Sequence, residues 1–199
     1  MTEQEYYYLR RTVDTMDCAL KYKDLHTQLH CKRVVNLSQE LGLACQLSTS
    51  ELKILVVAAY CHDIGKIGIP DDILHKPEKL NLNEWETMKK HSEMGEEIVR
   101  HMEVNNSDVI SKAVRHHHEN FDGGGYPDQL EGHNIPIFSR IISIVDSYDA
   151  ITVIRPYCNK KSHAYAMDII DQENGLMFDS ELVTLFKKLI ETSQNRSPV

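Results

Sequence analysis

The chain has no Cys-x-x-Cys pair, no apolar run of transmembrane length and no surplus of positive charge, and each gap removes a class of function. Its five cysteines, Cys18, Cys31, Cys45, Cys61 and Cys158, are scattered and odd in number. That argues against a disulfide framework or a zinc ribbon and fits a reducing, cytoplasmic setting. Cys61 reads as a small core residue rather than a ligand. The opening Met1-Thr2-Glu3-Gln4-Glu5 lacks the basic-then-apolar order of a signal peptide. Lys and Arg total 22 against 30 Asp and Glu, a formal charge of -8, which speaks against a broad surface for long nucleic acid. A small phosphodiester remains compatible, because bound cations can hold an anion on an acidic protein. No internal repeat or low-complexity segment is visible, and no Ser-His-Asp order or G-x-S-x-G elbow offers a covalent nucleophile.

What is present points to helices. With 199 residues and 41% apolar content, the chain is long enough for one domain with a sizeable core. Apolar spacings of three and four dominate, strand-like alternation is rare, and an all-α fold follows. Ser48-x-x-Glu51 predicts a capping box before a helix running to Cys61, and Asn83-x-x-Glu86 a weaker box before the next. Ser162 and Asp179 are expected N-caps, and Gly175 a helix stop. Residues 119–136 lack a helical period and carry four glycines and two prolines, which predicts a functional loop.

The histidines fall on the apolar faces of these helices. His26, His30, Val34, Leu37 and Leu41 follow at spacings of four, four, three and four, so both histidines share the face expected to carry the core. Leu52, Leu55, Ala59, His62 and Lys66 repeat the pattern, as do Met88, His91, Gly95 and Ile98. Ile110, Val114 and His117 form a further set, and Ile142, Asp146 and Asp149 another. Five helices are thus expected to send a ligand-type side chain inward, the way bundles build metal sites. The pair His62-Asp63 alone is a weak signal, but the chain has eleven histidines, and burying many of them without a metal would leave polar groups without partners. Mixed imidazole and carboxylate ligands suit iron, manganese, nickel or zinc rather than magnesium or calcium.

The segments HCKRVV (30–35), HDIGKIGIPDDIL (62–74), KPEKL (76–80), MKKHSEMG (88–95), HHENFDGGGYPDQLEG (117–132), IPIFSRIISIVDSYDAI (135–151) and RPY (155–157) follow one another in a recognisable order. From about Asp24 to Phe186 the chain resembles the HD-GYP domains, a subgroup of the HD phosphohydrolases. The resemblance implies a single-domain helical bundle with a central di- or trinuclear metal site. It implies hydrolysis of cyclic dinucleotides, chiefly cyclic di-GMP, to the linear dinucleotide and possibly on to GMP. Residues 23–199 would form the HD-GYP domain and 1–22 an N-terminal helical extension, whose Tyr6-Tyr7-Tyr8 run is expected to pack on the bundle.

Carried over position by position, the resemblance implies His30, His62, Asp63, His91, His117, His118 and Asp146 as metal ligands, with Asp63 bridging two ions. His30, His62 and Asp146 would serve one ion and His91, His117 and His118 the other, a split the sequence does not fix. Family members with a third metal carry a glutamate at the position of His26, so His26 is a candidate ligand for a third ion, beside the alternative of a solvent-facing histidine. Iron or manganese is the implied metal. A hydroxide shared by the ions would be the nucleophile, with Asp63 and Lys66 as catalytic residues and Lys66 meeting charge on a non-bridging phosphate oxygen. Arg155 matches the family's phosphate-contacting arginine. Cys158 stands where the family usually offers a second basic residue, with Lys160 or Lys161 as the nearby substitutes. Gly123-Gly124-Gly125 reads as part of a flexible lip, with Tyr126 available to pack on a base or a partner. His75, His101, His116, His133 and His163 default to the surface or to places just behind the ligands.

Two alternatives stay open. One is the same chemistry on the hybrid cyclic GMP-AMP. The other is a non-catalytic cyclic dinucleotide sensor or adaptor whose Gly125-Tyr126-Pro127 loop docks on a diguanylate cyclase. Neither long nucleic acid nor a membrane is an expected partner.

Overall fold

A computed structural model describes residues 2–102, 105–153 and 161–197 of the chain. Among them are ten α-helices, two short 3-10 turns and no strand. The first two helices, α1 (Glu3–Lys23) and α2 (Leu25–Ala44), are separated by one extended residue, Asp24. Its carboxylate accepts from the backbone N–H groups of His26 at 3.0 Å and Thr27 at 3.2 Å, so the residue that ends one helix caps the next. The third helix, α3 (Thr49–Cys61), begins with the Ser48–Glu51 capping box that the sequence predicts. After it come a 3-10 turn at Ile64–Gly68, then α4 (Asp71–Leu74), α5 (Leu82–Lys89), α6 (His91–Arg100) and α7 (Ser107–Arg115). A second 3-10 turn at Gly132–Asn134 precedes α8 (Ile137–Thr152), α9 (His163–Gln172) and α10 (Ser180–Ile190). No helix is long and apolar enough to cross a membrane among the described residues.

Burial follows the sequence pattern. Helix α2 packs on α1, α3, α8 and α10, and α3 also meets α7 and α8. Helix α8 buries Ile141, Ile142, Ile144 and Val145 completely, residues that face several directions around the helix. A helix apolar nearly all round belongs at the centre. The polar side chains it turns toward His30 are Asp146 and Asp149.

Three local expectations shift. The box before α5 is Asn81–Glu84, not Asn83–Glu86: Asn81 accepts from the Glu84 N–H at 3.0 Å, and the Glu84 carboxylate takes both the Asn81 N–H and the Lys76 ammonium. The ion pair with Lys76 favours that register, while Glu86 pairs with Lys89 instead. Helix α9 ends at Gln172, before Gly175, because the Glu173 carbonyl collects the N–H groups of Leu176, Met177 and Phe178. Gly175, at φ +78°, serves the turn that follows. His163 is neither at the surface nor beside the ligands: it is buried, with Nδ1 at 2.8 Å from the Tyr148 hydroxyl and Nε2 at 3.2 Å from Glu191.

Candidate metal centre

The ligand-type residues collect at helix ends. His62 is the C-cap of α3, Asp63 follows it, His91 is the first residue of α6, and His117 and His118 lie just past the end of α7. Only His30 and Asp146 come from helix interiors. A helix end leaves its last-turn carbonyls without intrahelical partners. Three of the imidazoles fill that deficit: Nδ1 of His62 lies 2.8 Å from Ala59 O, Nδ1 of His91 2.7 Å from Met88 O, and Nδ1 of His117 2.6 Å from Val114 O. A carbonyl only accepts, so each Nδ1 carries the proton and each Nε2 presents a lone pair.

Those lone pairs converge. Nε2 of His91 is 3.4 Å from Nε2 of His117 and 3.1 Å from Nε2 of His118. The buried Nε2 of His62 has no hydrogen-bond partner. Two unprotonated nitrogens 3.4 Å apart in a dry interior repel unless a cation lies near them, so the donor set fits a metal ion. Ligand atoms of His91, His117 and His118 gather in one group able to hold an ion, and those of His30, His62 and Asp63 in another. Asp63 faces both: Oδ2 is 3.4 Å from His62 Nε2 and 3.8 Å from His30 Nε2, and Oδ1 is 3.6 Å from His91 Nε2. Asp146 joins the second group, with Oδ1 2.9 Å from His30 Nε2, out of line for a hydrogen bond but close enough for charge attraction.

The electrostatics separate the two groups. Burial holds the His91 imidazole down to about 4 against the pull of Asp63, and it holds His118 down to about 3. His117 is likewise well below the ordinary range, through burial and its neighbouring histidines. These three are neutral at neutral pH, the form that binds metals. For Asp63, burial acts to raise the carboxyl, yet Lys66, His62 and His91 outweigh it and keep the group ionised. His30 moves the other way: burial would lower it, but Asp146, Asp149 and Asp63 raise it.

Close backbone approach is built in by Gly65, in the 3-10 turn after Asp63. A Cβ there would sit 1.9 Å from the His91 carbonyl oxygen and 2.6 Å from the Gly95 nitrogen. Only glycine lets the turn carrying Asp63 lie on the start of α6.

The Gly-Tyr-Pro loop is fastened, not a flexible lip. Buried Glu119 accepts the N–H of Asp128 at 2.7 Å and of Leu130 at 3.1 Å, Tyr126 N–H donates to His118 O, and Phe121 and Asp122 donate to Met177 O and Leu176 O. Arg115 makes two bonds to Asp128, and His116 Nε2 adds a third contact at 2.8 Å. His116, Glu119 and Asp128 lie close enough to hold an ion. Their oxygens are already committed to Arg115 and to backbone donors, so the group reads as a clamp on the loop. Tyr126 is turned inward, its ring 4.9 Å from that of His118.

Above the cluster lies a cavity of about 580 Å³, within the usual range for a small-molecule site. His30, His91, His118, Asp146, Lys66 and Tyr126 line it, with His26, Arg33, Trp85 and Met88. Lys66 stands at its floor with Nζ 2.6 Å from Asp63 Oδ2. His26 is exposed at the rim and belongs to neither buried group, so the face shared with His30 does not bury it. Arg155, Tyr157, Cys158 and Lys160 lie outside the described residues. Three participants were given no role in the sequence reading. Asp149 accepts from His30 Nδ1 at 2.6 Å and from Arg33 at 2.7 and 2.9 Å, and Glu119 grips the loop. Trp85 lines the wall. Asp149 carried one signal, its position three residues after Asp146 on an inward face.

A helical bundle that gathers histidine and aspartate from several helix ends into a site able to hold divalent metal defines a metal-binding helical domain. The chain belongs to the HD domain family, whose model matches residues 15–182, and its Asp122 to Pro127 segment carries the Gly-Tyr-Pro pattern of the HD-GYP subgroup. It is 36% identical over 167 residues to a 3'3'-cGAMP-specific phosphodiesterase of Vibrio cholerae, covering 84% of this chain and 32% of that protein. It is 36% identical over 185 residues to a cyclic di-GMP phosphodiesterase of Thermotoga maritima, covering 92% and 50%. The chain thus spans between a third and a half of these relatives' lengths. An HD-GYP-type protein from Bdellovibrio bacteriovorus shares the fold, with a TM-score of 0.68 at 14% identity over 95% of this chain and 66% of that one.

Proposed function

We propose that the protein is a metal-dependent phosphodiesterase that opens cyclic di-GMP to the linear dinucleotide. The observation that carries this is the convergence of the Nε2 lone pairs of His91, His117 and His118 opposite His30, His62 and Asp63, at the floor of a cavity sized for a small ligand. His91, His117 and His118 would hold one ion, His30, His62 and Asp146 the other, and Asp63 would reach both. Two such ions, iron or manganese in this reading, supply Lewis acidity and activate water for attack at phosphorus. The chain's own residues do the rest. The neutral imidazoles of His91, His117 and His118 and the ionised Asp63 carboxylate present lone pairs, and the Lys66 ammonium at the cavity meets charge growing on a non-bridging phosphate oxygen. Tyr126 closes the wall beside His118 and excludes water there. Exposed His26 would offer an imidazole to a third ion nearer solvent, so that His26→Ala lowers the metal count by one and spares the buried pair. Were a diguanylate cyclase to dock on the Gly125-Tyr126-Pro127 loop, it would use the loop's exposed edge, Asp122, Gly124, Asp128 and Gln129, since Tyr126 points inward.

The relatives' activities on cyclic di-GMP and on 3'3'-cGAMP support the reaction class. The test is metal analysis of anaerobically purified protein together with product analysis on both cyclic dinucleotides. Metal-dependent formation of the linear dinucleotide from cyclic di-GMP is expected. Tight binding without turnover would make the protein a sensor instead, and turnover confined to the hybrid would change the substrate.

A further inference from the structure

Helix α5 is unusual in burying none of its residues. Its apolar side chains Leu82, Trp85 and Met88 are spaced three apart, yet Leu82 is 85% exposed and Trp85 45%. The helix is held in place by other means: Lys76 bonds both oxygens of Glu84 at 2.7 Å, and the Met88 carbonyl accepts from His91 Nδ1. A half-exposed apolar stripe fixed in position beside a cavity is a wall that a ligand can cover. Trp85 and Met88 face the cavity that opens on the metal centre.

The aromatic rings form a line out of that centre. From His118, a step of 4.9 Å reaches Tyr126, and a further 6.2 Å at an 82° interplanar angle reaches Trp85. Tyr126 is hemmed in by His118, by Trp85 and by Lys89, whose Nζ lies 5.7 Å from the ring centroid. Its ring is therefore occupied by protein, whereas the indole keeps nearly half its surface open. A phosphodiester at the metal centre carries its bases outward into the same cavity, whose wall includes Trp85 and Met88.

We propose that Trp85 is the base-binding residue of the site, stacking on one purine of the substrate and so setting affinity and orientation. The inference rests on the cyclic dinucleotide reading above. Stacking of a base on an aromatic side chain is tolerant of base identity, so Trp85 would favour a purine dinucleotide over a phosphodiester without a base, and would not by itself separate guanine from adenine.

The chain has one tryptophan, so its intrinsic fluorescence reports on this position alone. With metal-loaded protein, GMP should quench that emission and ribose 5-phosphate, which has the phosphate but no base, should not. Trp85→Ala should raise KM for cyclic di-GMP by about 5- to 150-fold with kcat and metal content kept, and Trp85→Phe should recover most of the loss. Equal responses to the two ligands, or an unchanged KM in Trp85→Ala, would overturn the proposal. If Trp85→Ala fails to fold, the fluorescence comparison on the parent protein and the Trp85→Phe kinetics decide. An absence of any turnover by the parent protein would sink the proposed function, and the fluorescence arm would still report on Trp85.

Discussion

The two halves of the metal centre are anchored differently. His91 and His117, like His62, hang their Nδ1–H groups on carbonyls three residues back, so their orientation is set by the local chain and by the end of a helix. His30 sits inside α2 and is oriented by Asp149, 119 residues away on α8, which is itself gripped by Arg33. His91, His117 and His62 are held by backbone that no substitution removes, whereas His30 depends on a chain of side chains. The charges divide along the same line, with neutral imidazoles on one side and carboxylates around a proton-attracting His30 on the other. Ligand basicity and placement can be tuned through the partner behind the ligand only where that partner is a side chain.

The largest effect should come from the residue both halves share. Asp63→Ala is expected to strip metal from both groups and abolish phosphodiesterase activity, read by metal content per chain and product formation. Retention of full metal content would show that the halves do not meet at Asp63. Lys66→Ala comes next: metals stay and kcat falls roughly 10²- to 10³-fold. A rise in KM at constant kcat would move Lys66 from transition-state stabilisation to ground-state binding.

Asp149→Asn tests the difference in anchoring directly. It should weaken the ion near His30 by about 10- to 100-fold in a metal titration, leaving the ion of His91, His117 and His118 in place. Equal weakening of both would mean that backbone and side-chain anchors behave alike.

The smallest effect concerns protons. His91, at about 4, and His118, at about 3, lie below the ordinary 6.5, as does His117, so below pH 6.5 the unfolded chain binds more protons than the folded one. Stability present above pH 6.5 is lost as pH falls toward 4. His30, with a raised pKa, acts in the opposite sense: its contribution is full below 6.5 and fades as pH rises through its folded value. Three groups against one should lower the Tm of metal-free protein between pH 7 and 5. A Tm that rises on acidification would mean that the carboxylate half dominates.

Much of the molecule was legible in the sequence because its signals are local. Helical period, the Ser48–Glu51 box and the Ser162 and Asp179 caps all act within a turn or two. His30, His62, Asp63, His91, His117, His118 and Asp146 stand together as their inward spacing and the family's motifs led one to expect. His26 shows where such reasoning slips. A spacing of four turns a residue 40° around the helix, and near the start of α2 that difference leaves His26 exposed at the rim while His30 is buried.

The chain by itself determined the helices, the apolar faces and the residue types of the centre, since each depends on periodicity or on side-chain chemistry carried in short segments. Tertiary structure alone decided what brings distant segments into contact. It put Asp149 behind His30, folded Tyr126 inward under the grip of Glu119, and left Trp85 half-exposed on a helix that buries none of its residues. Those outcomes depend on through-space distances between residues far apart in sequence, which periodicity does not encode.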